Sequence, residues 1–427
     1  MYEDLDKKSV IDYLKTHTAI FDPEAGLSVY EIGDGADDGD GFINFLYRVW
    51  DDDDRTRKSV IVKQAKKYYK AFGEGEGPFV LERNRDEASL LKLKGAITPE
   101  YYPKVYHVDP ANNLYVCEDC GDLKILRFEL MRGRLFPRFP EMIGEFVAKN
   151  NFYTSELYLE PEVHQQLEAR YINTAMRKIF QTQLFLKDES EFEGRNPHDN
   201  PNADQVRLAM GDLPWKSKAF RTEMLKLRHI HMAKPECLVH GDLHTSNIMI
   251  GPDAMKVIDM EYSIMGAMSS DSGYLMGSLL YEYLRWFYLP DWDTVYCQEM
   301  REAVLGYMKD FVAHYRAVFR ACWEKDARVT YQDFEDYCDY MLDTWFHEMV
   351  GFTGCQIISR VGNLVPLPDF DTIPDAQDRY EACRISLIVA EHLIMHRDEI
   401  ADGDALISTI VKITESSRRL FRAARRV

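Results

Sequence analysis

The chain has 427 residues, 46% of them hydrophobic, and carries 71 acidic against 52 basic side chains for a formal net charge of -19. That surplus sets up a field that repels phosphate backbones and anionic lipid, which excludes nucleic acid and membrane surfaces as partners and sends any anionic ligand to a cleft where amides, a metal or a few cations invert the field. No apolar run approaches the ~20 residues of a membrane helix, no basic-then-apolar leader opens the chain, and eight scattered cysteines suit reduced thiols, so the expectation is a cytoplasmic protein with core enough for two lobes.

Residues 5–16 have the spacing of a short amphipathic helix, with Leu5, Val10, Ile11 and Leu14 apolar between charges. The stretches 27–32, 42–50 and 59–65 are β-branched and aromatic runs separated by Gly- and Asp-rich turns, which predicts antiparallel strands. A helix is expected over 79–93, then strands over 103–106 and 114–117. Beyond about residue 125 helical periodicity dominates, over 138–150, 162–186, 216–232, 273–288, 294–323, 330–349, 374–398 and 403–426, interrupted by strand-like runs at 238–239, 248–250 and 256–258. The fold class predicted is α+β and two-lobed, with residues 1–122 as a small β-rich lobe and 123–427 as a large, mostly helical one. The arginines of the last segment, among them Arg418, Arg422 and Arg425, are expected to pair with the protein's own carboxylates rather than with lipid.

The densest chemistry lies in His240-Gly-Asp242-Leu-His244-Thr-Ser-Asn247, followed across a Gly-Pro-Asp turn by Ile-Asp259-Met-Glu261. Two short strands bracket a tight turn, and each delivers polar residues from its end. Phosphoryl transfer needs a carboxylate that orients the accepting hydroxyl and takes its proton, with further oxygen ligands that hold Mg²⁺ across nucleotide phosphates. Asp242 suits the first task, and Asn247, Asp259 and Glu261 suit the second. The offset from Asp242 to Asn247 matches the catalytic loop of protein kinases, and Asp259 stands where their metal-binding aspartate follows. His240 is expected to orient the loop by hydrogen bonding, while His244 is ambiguous.

Upstream, Ser59-Val-Ile-Val-Lys63 has the form of the strand whose lysine reaches the phosphates, and Glu87 on the next helix is the carboxylate to fix its ammonium. The turn Gly39-Asp-Gly41-Phe-Ile-Asn44 would let backbone amides approach phosphates, or is an ordinary hairpin. Glu118-Asp119-Cys120 ends a strand as a hinge whose backbone groups could meet an adenine edge. Cys117 and Cys120 lack the second pair that a zinc site would require.

At these residues the chain resembles the S-methyl-5-thioribose kinases, relatives of aminoglycoside and choline kinases, over nearly its whole length. The resemblance is carried by Gly39-Asp-Gly41, Val62-Lys63-Gln-Ala, Leu81-Glu-Arg83, Pro103-Lys-Val-Tyr-His107, Glu118-Asp119, the His240 loop, Gly354-Cys355 and above all Asp259-Met-Glu261. It implies a protein-kinase-like fold, ATP and Mg²⁺ with both acids of Asp-x-Glu at the metal, phosphorylation of the sugar at its anomeric hydroxyl, and a homodimer. It also implies substrate contacts at Arg360 and, in a loop before the catalytic segment, Trp215. Two departures stand out: Ser246-Asn247 replaces the family's Gly-Ser, and Ser359 replaces the first of two consecutive arginines that reach the sugar. The second leaves another acceptor open, such as 5-deoxyribose, another sugar, choline or an aminoglycoside. A nucleotide-binding pseudokinase is the rival from another class.

Overall fold

In the computed structural model, residues 3–33, 44–53, 59–66, 83–177, 217–362 and 367–425 are described. The chain divides into two compact units, Met1–Ile125 with Ser246–Ser263, and Leu126–Thr245 with Ile264–Val427.

The first unit opens with helix α1 (Ser9–His17), then strands β1 (Leu27–Glu31), β2 (Phe45–Asp51) and β3 (Ser59–Gln64), helix α2 (Arg83–Gly95), and strands β4 (Val105–Asp109), β5 (Leu114–Glu118) and β6 (Lys124–Ile125). Strands β1 to β5 form one antiparallel sheet in the order β1-β2-β3-β5-β4. Alternation along β2 and β3 turns Tyr47, Val49, Val60 and Val62 onto one face, where they meet Val10 and Leu14 of α1 and Leu114 and Val116 of β5. The neighbouring residue Lys63 is thereby left on the opposite face.

The second unit takes over with α3 (Leu126–Met131), α4 (Phe139–Tyr153), α5 (Pro161–Arg170), α6 (Lys218–Ala233) and strand β7 (Cys237–Val239). The expected helix over 162–186 is interrupted after Arg170, where Asn173 adopts the left-handed conformation; helix resumes over 174–177, and 178–186 lie outside the described residues. The chain then rejoins the first unit for the hairpin β8 (Ile248–Ile250) and β9 (Met255–Val257), with β6 pairing along β8. It returns to the second unit at β10 (Ile264–Gly266), the partner of β7, and continues through α7 (Ser270–Arg285), α8 (Thr294–Asp326), α9 (Val329–Gln332), α10 (Glu335–Gly362), α11 (Pro368–Asp371), α12 (Ala376–His396) and α13 (Gly403–Ala424).

Helix α7 is buried along its whole length, the mark of a helix at the centre of a bundle, and α8, α10, α11 and α12 pack around it. Aspartate side chains cap the starts of α8, α12 and α13: Asp293 accepts from Val295 and Tyr296, Asp375 from Asp378, and Asp402 from Ala405. Helix α10 runs through Gly351 and Gly354, well past the expected end at 349. Both glycines sit at close approaches: a Cβ on Gly354 would lie 2.6 Å from the carbonyl oxygen of Ala390, and one on Gly351 2.6 Å from Leu227. Near the C-terminus Arg425 pairs with Asp378 at 2.7 Å and Glu381 at 2.7 Å, as expected for a cationic helix end among the protein's own carboxylates. Among the described residues no helix is long and apolar enough to cross a membrane.

Candidate active site

In the first unit the alternation of β3 delivers Lys63, 6% exposed, to a pair of carboxylates. Its Nζ donates to Glu87 Oε1 at 2.9 Å and to Asp259 Oδ1 at 2.6 Å. Glu87 comes from the second turn of α2, and its Oε1 also accepts the backbone N–H of Met260 at 3.0 Å, so one buried carboxylate fixes both the ammonium and the turn that follows Asp259. Burial alone would discharge Lys63, but Asp259, Glu87 and Glu261 outweigh it and hold the ammonium's pKa above its ordinary value.

Asp259 has φ 68° and ψ 63°, the left-handed conformation, which costs a side-chain-bearing residue about 1 kcal/mol and which aspartate tolerates better than most. Backbone strain of this kind collects where a turn must aim a side chain. The β8–β9 hairpin sets Ile248 opposite Val257, and the next rung joins the Ile258 N–H to the Asn247 carbonyl at 3.0 Å. Asn247 and Asp259 therefore emerge at the same end of one hairpin.

Two residues on, Glu261 is buried, its side chain 1% exposed. Its Oε2 accepts from Asn44 Nδ2 at 2.7 Å and lies 3.4 Å from Arg83 Nε. Burial first, then the charges of Asp259 and Glu87, push its carboxyl up to about 8 against the pull of Lys63 and Arg83. Three carboxylates thus share a region with two cations, and the oxygen donors Asn247, Asp259 and Glu261 are hard ligands suited to a divalent ion. Among the described residues no three His, Cys, Asp or Glu side chains form a complete cage by themselves. Mg²⁺ is an ion served by one or two carboxylates together with ligands from outside the protein.

At the end of β5 the side chains have other partners. Asp119 Oδ2 is 2.8 Å from Arg48 Nε and accepts from Ser59 Oγ at 2.8 Å. Glu118 Oε2 accepts from the Lys104 N–H at 3.1 Å and lies 3.4 Å from Lys256 Nζ. Both carboxylates brace the strands around the turn. The Cys120 thiol is pushed up to about 12 by burial and then by Glu118 and Asp119, so it is a neutral group there. Gly39, Gly41 and Trp215 lie outside the described residues.

The second unit holds the other part of the motif. Gly241, with φ 86°, turns the chain sharply between His240 and Asp242. The two amides exposed by that turn are taken by one buried side chain: Asp271 Oδ2 accepts from His240 N–H at 2.5 Å and Oδ1 from Gly241 N–H at 2.9 Å. His240 is fully buried and accepts the Asp242 N–H on Nδ1 at 3.2 Å, the orienting role expected of it. His244 Nε2 stands 3.4 Å from Asp242 Oδ2. Burial would raise the Asp242 carboxyl, yet His244, Arg360 and His240 together hold it below the usual range, so it is kept anionic. Arg360 projects from the last turn of α10, and its buried Nε has no hydrogen-bond partner among the described residues. Ser359, beside it in sequence, is buried.

Sequence reasoning missed Asp271 and gave no task to Arg83. Asp271 lies in Ser269-Ser-Asp-Ser-Gly273, which reads as an ordinary helix start, and only the fold reveals that its carboxylate faces the amides of the catalytic loop. Arg83 stands four residues before Glu87, a spacing that places both on one face of α2 and that could have singled it out.

Residues 142–306 match the phosphotransferase enzyme family. A paired lysine, an Asp-x-Glu turn and an anchored His-Gly-Asp loop are the parts such chemistry requires, and the class is a small-molecule kinase of protein-kinase-like fold. The methylthioribose kinase of Geobacillus thermodenitrificans (strain NG80-2) is 30% identical over 90% of this chain and 89% of its own length. Those of Geobacillus sp. (strain WCH70) and Geobacillus kaustophilus (strain HTA426) are each 29% identical, over 94% and 99% of this chain and 94% and 97% of theirs. The chain belongs to the methylthioribose kinase family.

Proposed function

We propose that this chain transfers the γ-phosphoryl group of ATP to the anomeric hydroxyl of methylthioribose, giving the 1-phosphate and ADP. The observation that carries this is Asp242, a half-buried carboxylate kept anionic beside an arginine whose Nε has no partner among the described residues. In this reading Asp242 accepts the hydroxyl proton as the sugar oxygen bonds to phosphorus and the bond to the β-phosphate oxygen breaks. Lys63, held by Glu87, neutralises charge that develops on the phosphates. Asn247, Asp259 and Glu261 would hold Mg²⁺, which would supply charge neutralisation at the triphosphate. Amides near Gly39, Gly41 and Asn44 receive the phosphates, and backbone groups of Glu118, Asp119 and Cys120 meet the adenine. Arg360, Ser359 and Trp215 are the substrate contacts assigned to the sugar.

Nucleotide binding then belongs to residues 1–122 together with the 246–263 segment, and sugar binding to the remainder. We further propose a cytoplasmic homodimer, as the family resemblance implies. Ser359, where the resemblance leads one to expect an arginine, supports a second reading in which a related sugar is the better acceptor. ATP turnover measured against methylthioribose, 5-deoxyribose, ribose, choline and an aminoglycoside separates the two. Turnover with none but an amino alcohol or aminoglycoside would overturn the sugar assignment.

A further inference from the structure

Helix α2 presents two side chains one turn apart to the Asp-x-Glu turn. Glu87 addresses the Asp259 side through Lys63 and the Met260 amide, and Arg83 addresses Glu261. Arg83 is 3% exposed and sends both Nε and Nη2 to one atom, Asn44 Oδ1, at 3.1 and 2.9 Å. Asn44, 4% exposed, turns its Nδ2 to Glu261 Oε2 at 2.7 Å, and Arg83 Nε lies 3.4 Å from the same oxygen. The amide orientation is forced, because a flipped Asn44 would set donor against donor at the guanidinium and acceptor against acceptor at the carboxylate. Oε2 thus accepts from Asn44 and lies against the guanidinium charge, which withholds that oxygen from a cation.

We infer that Arg83 and Asn44 form a clamp that restricts Glu261 to ligation through a single oxygen, and that this clamp makes the site select Mg²⁺ over Ca²⁺. The inference rests on the reading of Glu261 as a metal ligand. Mg²⁺ demands a small octahedron and is served by single-oxygen carboxylates, whereas Ca²⁺ takes more oxygens and gains from a carboxylate that binds through both. Opening the clamp gives Glu261 its second oxygen back, which favours the larger ion. Removing a positive charge also strengthens attraction for every divalent cation, but that contribution is common to both ions and cancels in the ratio of their affinities.

Calorimetric titration of Mg²⁺ and of Ca²⁺ into the full-length protein saturated with ADP tests the clamp without relying on turnover. In Asn44→Ala and in Arg83→Met, the affinity ratio of Ca²⁺ to Mg²⁺ rises by roughly tenfold over the parent, and Arg83→Lys, which cannot serve both partners, falls between. Asn44→Ala removes one donor and leaves the buried guanidinium in place, so it reports on the clamp even if Arg83→Met does not fold. An unchanged ratio in folded Asn44→Ala overturns the inference. Glu261→Gln tests the underlying reading separately: if it leaves Mg²⁺ affinity intact in the otherwise unaltered chain, Glu261 is no ligand and both fall. If it weakens Mg²⁺ while the clamp variants keep the parent ratio, the clamp alone fails.

Discussion

Replacing Asp271 by asparagine isolates what holds the catalytic loop. The carboxylate accepts two backbone N–H groups on separate oxygens, at 2.5 and 2.9 Å, in a site where Asp271 is 4% exposed. Asparagine keeps one carbonyl oxygen and turns an NH₂ group toward the other amide, so one charge-assisted bond is lost and one buried N–H faces a donor. A bond to a charged acceptor contributes about 1.5–3 kcal/mol, and an unsatisfied buried amide costs about 1–3 kcal/mol, which together place the loss at roughly 2.5–6 kcal/mol. If half of that appears as misplacement of Asp242, turnover falls on the order of tenfold to a hundredfold, at 1.4 kcal/mol per decade. The assay pairs steady-state kcat with urea unfolding and ADP affinity. Expected are a lower kcat, a lower unfolding midpoint and an ADP affinity within about twofold of the parent, since Lys63, Glu87 and Asp259 do not depend on Asp271. A variant that loses stability but keeps full kcat would refute the idea that these two amides set the position of the base.

Three further outcomes are expected. Lys63→Met leaves Glu87 and Asp259 without their shared ammonium, which should cost about 3–5 kcal/mol of stability, as for other broken buried pairs, and reduce kcat/KM by at least roughly a hundredfold; urea unfolding and initial rates read both. Gly354→Ala drives a methyl against the Ala390 carbonyl and Ile394, each 2.6 Å away, so α10 must shift at about 1–3 kcal/mol, and the KM for the sugar should rise more than that for ATP because Arg360 rides on the same helix. His231 is held at about 4 by burial and then by Arg177 and Arg228, below its ordinary value near 6.5. Between those two values the unfolded chain binds a proton that the folded one refuses, so stability is present above about 6.5 and falls as pH drops toward 4, by up to roughly 3 kcal/mol. Unfolding midpoints at pH 7 and pH 5 should differ less for His231→Gln than for the parent.

The sequence shows motif residues well and their surroundings poorly. Lys63 with Glu87, and Asp259 with Asn247, were readable from their places on strand, helix and hairpin; Lys63 bonds Glu87, and the β8–β9 register brings Asn247 and Asp259 to one end of the hairpin. The helix expected to end at 349 runs on through Gly351 and Gly354, whose lack of a side chain is what admits Leu227 and the Ala390 carbonyl, neighbours that residue types alone do not reveal. Glu118 and Asp119 were read for their backbone groups alone; that Lys104, Lys256, Arg48 and Ser59 engage their carboxylates was not legible, because only sheet register brings those partners near. Asp271 was invisible for the same reason: an orphaned amide leaves no trace in residue types, and its satisfier lies thirty positions on, across β10.

The hairpin of Ile248–Ile250 and Met255–Val257 belongs with the first unit, although more than a hundred residues of the second separate it from Ile125. During synthesis, the strand Lys124–Ile125 leaves the ribosome long before the edge it pairs with exists, and Lys63 is made well ahead of Asp259. A nascent chain therefore carries Glu87 and Lys63 as a pair with one claimant missing until residue 263 has emerged. Cutting the gene after codon 125 yields no self-sufficient half, and complementation by two fragments should succeed only when the second piece brings residues 246–263 with it.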